Sequence, residues 1–293
     1  MKKILQISIP LILSFFLSNC EFFEPTISHQ VDLLRVTFID VWQGDSILIE
    51  VPGGEKILID AGRKGTEDFP FDAGEERVLP LLQDKKIKHL SHVILTHPHS
   101  DHVGGLIAVL KNIKVSQVLD PGIPHPTPVY EEFLKLIEEK DIPYRIIRRG
   151  DDLSFGENIE VTVLNPPRDL YEGESMANNN SLVIKMKYGD ISFLFTGDIE
   201  EEQLEELITI YGEGLKSEIL KVPHHGSVDG NPLNFIEIVS PEVAIISCGS
   251  GNRFGHPHKE TLERYKRQGS KIYRTDLDGN IEVSTDGVRY WVR

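Results

Sequence analysis

The sequence predicts one α/β domain in which two β-sheets face each other and helices cover the outside. Three observations lead there. Short runs rich in Val, Ile, Leu and Phe, broken by Gly and Pro, recur from residue 33 to the C-terminus. Helix-like segments are interleaved with them in both halves. Polar motifs fall directly after strand-like runs, where loops at one sheet edge gather. No repeat, low-complexity tract or linker divides the 293 residues, of which 40% are hydrophobic and 26% charged.

In order, "LLRVTFIDV" (33–41), "SILIEV" (46–51) and "KILIDAG" (56–62) read as strands. "AGEERVLPLLQDKKI" reads as a helix, and "SHVILT" (91–96) as a buried strand. "VGGLIAVLKN" suits a helix, "VSQVLD" a strand and "PVYEEFLKLIEEKD" an amphipathic helix. "NSLVIKMKYGDISFLFTGD" reads as a hairpin turning at Gly189-Asp190, followed by the helix "EEQLEELITIYG". "SEILKVPHHGS" is a strand ending in two histidines. A helix, the strand "EVAIISCG", the helix "PHKETLERYKRQG" and strands joined by Asp-Gly turns complete the chain.

The first residues differ. Lys2 and Lys3 precede the apolar run "ILQISIPLILSFFL", which is shorter than the ~20 residues of a spanning helix. "Leu17-Ser18-Asn19-Cys20" resembles the lipobox of bacterial lipoproteins, with Asn19 where a small residue is usual. The resemblance implies a signal peptide over 1–19, a lipid on Cys20, a tether over 20–32, and an exported protein anchored to the cell envelope through the membrane. Cys248 would then be the one remaining cysteine, a small buried group at a strand end. The formal net charge of −15 argues against a stable, non-specific nucleic-acid complex.

"VILTHPHSDHVGG" (93–105) places three histidines and an aspartate within six positions. His97 and His99 lie two apart after a strand, so an extended backbone points both to one side. Asp101 and His102 follow where the chain turns into a helix, aimed at a second point nearby. Imidazole and carboxylate together suit zinc and related ions. Asp198 follows the strand "ISFLFTG", and its two oxygens could serve two ions; the alternative is a helix cap, since "GDIEEEQLEEL" starts a helix. His224 and His225 end the strand-like "EILKVP".

"THPHSDHVGG", "LIDAG", "TGD" and a late histidine resemble the landmarks of the metallo-β-lactamase fold superfamily. "FIDVWQGDSILIE", "FLFTGDIEEE", "ILKVPHHGS" and "NRFGHPHKETLERYKRQGSKIYRTDLDG" are similar to the metallo-hydrolase domain of ComEC-type competence proteins, over residues 34 to the C-terminus. Trp42 departs from the glycine usual in "DVGQGDS" and is expected to narrow or reshape the pocket. The resemblance implies a four-layer αββα sandwich over 33–293 holding two divalent ions, Zn²⁺ or alternatively Mn²⁺. The implied ligands are His97, His99, Asp101, His102, Asp198 and His225. Asp60 is expected behind the cluster, with Asp40 and Asp45 as further supporting carboxylates. A further metal-binding histidine usual between the cluster and the aspartate is missing. Asn180 and Ser181 are expected at that corner, binding substrate or a metal-held water, and His125 beside the pocket mouth.

Two ions roughly 3.5–4 Å apart would hold a bridging hydroxide that attacks phosphorus or a carbonyl. Asp101 would orient it, His224 or His258 would protonate the leaving oxygen, and His256 would bind substrate. The expected activity is hydrolysis of a phosphodiester, in nucleic acid or a phosphorylated surface polymer. The alternatives are a β-lactamase- or lactonase-type hydrolase, or a non-catalytic surface lipoprotein.

Overall fold

A computed structural model describes residues 33–293, which hold together as one unit. The signal peptide, Cys20 and the tether lie outside the described residues. Six strands open the first sheet: β1 (Leu34–Phe38), β2 (Ile47–Glu50), β3 (Lys56–Ile59), β4 (His89–Ile94), β5 (Lys114–Asp120) and β6 (Tyr144–Ile146). Six form the second: β7 (Ile159–Asn165), β8 (Val183–Tyr188), β9 (Ile191–Phe195), β10 (Ile219–Lys221), β11 (Val243–Ile246) and β12 (Lys271–Arg274). The last two, β13 (Ile281–Thr285) and β14 (Tyr290–Val292), return to the first sheet. The orders are β14-β13-β1-β2-β3-β4-β5-β6 and β12-β11-β10-β9-β8-β7.

Helices α1 (Leu79–Asp84), α2 (Ser100–Val103), α3 (Leu106–Asn112) and α4 (Pro128–Glu139) belong to the first half. A one-turn α5 (Met176–Asn179) precedes β8; α6 (Glu201–Tyr211), α7 (Leu233–Val239), α8 (Lys259–Gln268) and the short α9 (Thr275–Asp278) follow.

Strand alternation explains the layers. In β2, Ile47 and Ile49 point into the core between the sheets, while Leu48 faces the helices of the first half. In β9, Phe193 and Phe195 point inward and Leu194 meets the outer layer. Each sheet is buried on both faces, which is why these strands are continuously apolar. Leu106, Leu110 and Phe133 cover one outer face, and Leu204, Leu207 and Phe235 the other. The result is the expected four-layer αββα sandwich.

The sheets contain parallel strands, β3-β4-β5-β6 in one and β9-β10-β11-β12 in the other. Ligand-bearing loops of parallel strands collect at their carboxyl ends. Asp60 follows β3, His97 follows β4, Asp198 follows β9, and His224 and His225 follow β10.

Candidate metal centre

His97 to His102 occupy the loop after β4 and the single turn of α2. Asp60 fixes this segment from below: its Oδ1 accepts from Thr96 N (2.8 Å) and its Oδ2 from Thr96 Oγ1 (2.6 Å). The same Oδ2 lies 2.8 Å from His102 Nδ1, so His102 turns Nε2 toward Asp198 Oδ2, 3.2 Å away. Burial alone would lower the His102 pKa; the carboxylates of Asp198 and Asp60 overcome it and hold it well above the usual value. His97 is wholly buried with no carboxylate as close, and burial pushes its pKa far down. Its Nε2 lies 2.9 Å from His99 Nδ1 and 3.9 Å from Asp198 Oδ2.

The second half supplies Asp198, His224 and His225. Strand alternation does not govern the two histidines. Both sit in a tight turn at positive φ, 44° and 53°, a conformation rare for non-glycine residues. Trp42 and Asp60 beside them share it, at 63° and 54°. The turn sends His225 inward, its Nε2 lying 3.1 Å from Asp198 Oδ2 and 3.5 Å from Asp101 Oδ2. Its Nδ1 donates to the Ser247 carbonyl at 2.9 Å, which fixes the ring with Nε2 facing the cluster. Behind it, Asp45 Oδ1 stands 3.4 Å from Nδ1 and Asp45 Oδ2 pairs at 2.7 Å with Lys221, all three side chains being buried. Lys221 therefore holds Asp45's pKa below the usual carboxylate range, although burial works the other way.

Gly44 lets the loop after β1 pack directly against the histidine loop. A Cβ there would stand 2.0 Å from the carbonyl oxygen of Asp101, and its φ of 126° is one that L side chains rarely adopt.

The donor set fits divalent ions. The ligand atoms of His97, His102 and Asp198 lie within 4.8 Å of one another, as do those of Asp101, His102 and His225. Asp198 Oδ1 is buried without a hydrogen-bond partner, and His225 Nε2 makes no well-formed hydrogen bond. Nitrogen and carboxylate oxygen together are the donors that zinc and manganese take. Asp198 does not cap α6: the capping position belongs to Glu200, whose side chain makes no capping bond.

Several expectations change in detail. Asn180, expected to bind substrate, bonds within its own loop: its Nδ2 donates to the Tyr171 and Met176 carbonyls and its Oδ1 accepts from Tyr171 N. Ser181 Oγ accepts from Asp198 N, which orients the aspartate and leaves the buried hydroxyl away from the pocket. Asn178, one turn earlier, lines the cavity instead. His258 is not at the cavity: its Nδ1 accepts from Val228 N at 3.0 Å and its backbone N–H donates to Gly226 O, so it braces the histidine turn. Asp40 accepts from Trp42 N at 3.0 Å rather than supporting a histidine. His256 and His125 do line the cavity, of about 380 Å³, with His99, Asp101, His224 and His225. Burial and neighbouring histidines push the His256 pKa down to about 4. Trp42 stacks on Phe69 at 5.1 Å, donates Nε1–H to Ser250 O, and lines an adjoining hollow. Cys248 is buried, its thiol pushed up to about 12 by burial and by Asp276.

Besides Asn178, sequence reasoning missed Glu200 and Lys221. Glu200 Oε1 lies 3.2 Å from His224 Nδ1 and accepts from Asn178 Nδ2 at 2.6 Å. The acidic run after Asp198 was a signal for it. Lys221, charged inside an apolar strand, was a signal for a buried partner.

The metallo-beta-lactamase superfamily model matches residues 39–250. The chain belongs to that superfamily. Its ComEC-type likeness holds as well: it is 34% identical over 272 residues to ComE operon protein 3 of Bacillus subtilis, covering 89% of this chain and 34% of that one. It is 29% identical over 111 residues to Ribonuclease Z of Methanopyrus kandleri, covering 38% of this chain and 36% of the relative. The chain thus spans about a third of the length of ComE operon protein 3, whereas the match to Ribonuclease Z is confined to a part of both chains. Among solved structures, CmlA, a diiron beta-hydroxylase from Streptomyces venezuelae, shares the fold with a TM-score of 0.54 at 13% identity, over 86% of this chain and 54% of that one. Among the described residues no helix is long and apolar enough to cross a membrane.

Proposed function

We propose that this superfamily member is a two-metal phosphodiesterase acting on nucleic acid or a phosphorylated surface polymer, with Zn²⁺ as its metal and Mn²⁺ as the alternative. The observation that carries the reading is the Asp198 carboxylate, with His102, His225 and His97 around Oδ2 and an unpartnered buried Oδ1. A carboxylate so placed can serve two ions at once. When bound, such a pair supplies an activated water and neutralises charge on substrate oxygens.

The chain's own residues do the rest. Asp60 and the Ser247 carbonyl fix the ring orientations of His102 and His225. Asp101, on the cavity wall, is placed to orient the attacking water. His224, held by Glu200 at the cavity, is placed to give a proton to the leaving oxygen, and His256 faces the substrate beside it. A relative named as a ribonuclease supports phosphodiester chemistry over lactam or lactone hydrolysis. We infer from "LSNC" that the protein is exported and held at the envelope by a lipid on Cys20.

The test is hydrolysis of bis(p-nitrophenyl) phosphate by the purified protein, after EDTA treatment and after re-addition of Zn²⁺ or Mn²⁺. Activity should vanish and return with metal, and Asp198→Ala should lose about 10²–10³-fold or more in kcat. Undiminished turnover by that variant, or cleavage of nitrocefin or a lactone alone, refutes the reading.

A further inference from the structure

A second hollow, of about 470 Å³, opens from the first and shares with it Gln43, Ser100, Asp101, Arg253 and Phe254. Its far side is made by Arg63, Trp42 and Phe69. The chain has 46 acidic and 31 basic residues, yet two guanidiniums meet here. Among the described residues neither takes part in an ion pair, although most arginines of the outer helices and hairpins do. Arg63 is half-buried with its Cζ 4.0 Å from the Phe69 ring centre, and Phe69 is stacked in turn on Trp42. This packing restricts the side chain, and its Nε is buried without a partner. Arg253 lies 4.9 Å from the ring of Phe254. The acids lining the hollow are the exposed Asp68 and the shared Asp101, which the metal centre claims.

Two guanidiniums that line one hollow, neither paired with a carboxylate among the described residues, present fork-shaped donors suited to a phosphate. The hollow begins at the wall of the metal centre, so an anion held there belongs to the same ligand that reaches the ions.

We propose that Arg63 and Arg253 form a second-phosphate subsite, binding the phosphate one link away from the ester that is cut. The enzyme then selects oligomeric phosphodiesters over isolated ones. This rests on the phosphodiesterase reading for the identity of the neighbouring ester, but not for the anion site itself. The ring surfaces of Trp42 and Phe254 in the same groove favour a nucleotide chain over a glycerol-phosphate chain.

The test compares thymidine dinucleotide (one phosphate), thymidine trinucleotide (two phosphates) and a glycerol-phosphate oligomer. KM is measured with the metal-loaded enzyme, and Kd with EDTA-treated protein by anisotropy of fluorescein-labelled ligands. The trinucleotide should bind about tenfold tighter than the dinucleotide. Arg63→Gln and, separately, the exposed Arg253→Gln should each remove most of that preference, and Arg63→Gln, which lies outside the first cavity, should leave bis(p-nitrophenyl) phosphate turnover unchanged. Equal binding of the two nucleotides by the parent protein overturns the subsite. So does a loss of equal size on both in the variants. Preference for the glycerol-phosphate oligomer overturns the nucleotide assignment. If the binding preference persists where no phosphodiester is cut, the catalytic reading falls and the subsite stands.

Discussion

Two buried aspartates stand behind two histidines of the centre, and they are held in different ways. Asp60, behind His102, receives hydrogen bonds from the Thr96 backbone and hydroxyl and meets no lysine or arginine. Asp45, behind His225, is paired with the buried ammonium of Lys221. Their pKa values diverge accordingly. Burial raises that of Asp60 in spite of its partners, whereas Lys221 lowers that of Asp45 in spite of burial. The two Thr96 donors orient the Asp60 carboxylate so that it aims the His102 ring, whereas the buried ammonium of Lys221 also fixes the charge of Asp45. One support is therefore chiefly directional and the other chiefly electrostatic.

Removing the cation should separate the two most sharply. Lys221→Met leaves Asp45 buried without its counter-charge and should cost about 3–5 kcal/mol of stability in urea unfolding. Adding Asp45→Asn should recover most of that loss. If the single variant is as stable as the parent, the electrostatic account of this support is wrong.

Asp60→Asn keeps the shape and some hydrogen bonding behind His102 but weakens the ring's orientation. Metal affinity, read by competition with a chelator, should fall about 10–100-fold, while stability changes by less than for Lys221→Met. The opposite ranking would exchange the roles of the two aspartates.

The smallest effect is in acid. Asp45's folded pKa lies below the unfolded value of about 3.9, so its contribution is complete above that pH and is lost as pH falls through the folded pKa. Asp60 has the reverse sign: its folded pKa is raised, and acidification relieves a cost that ionisation imposes. In metal-free protein, the Lys221→Met, Asp45→Asn double variant should lose about 1 kcal/mol less than the parent between pH 5 and 3, read from urea midpoints. An acid limb steeper than the parent's contradicts the assigned sign.

The sandwich and the histidine loop were legible because both are written locally. Strands buried on two faces are continuously apolar, and His97, His99, Asp101 and His102 lie within six residues. Asp198 and the His224-His225 pair were legible as motifs, but the backbone that aims the two histidines apart was not, since nothing in "VPHHGS" dictates a left-handed turn. Residues whose tasks depend on distant partners escaped. Asn178 rather than Asn180 reaches the cavity because the single turn of α5 sets which amide faces out. His258 turns back to brace the loop of residues 226–228, thirty positions away along the chain.

Trp42 and Gly44 are separated by one residue and live under opposite rules. At 44 even a methyl group would strike the Asp101 carbonyl, whereas at 42 a bicyclic indole is accommodated at the lip of the groove. Ligand preference can thus drift through changes at 42 while the neighbouring position stays frozen. Bulk can therefore change at the lip of the groove without disturbing the backbone contact that seats Asp101.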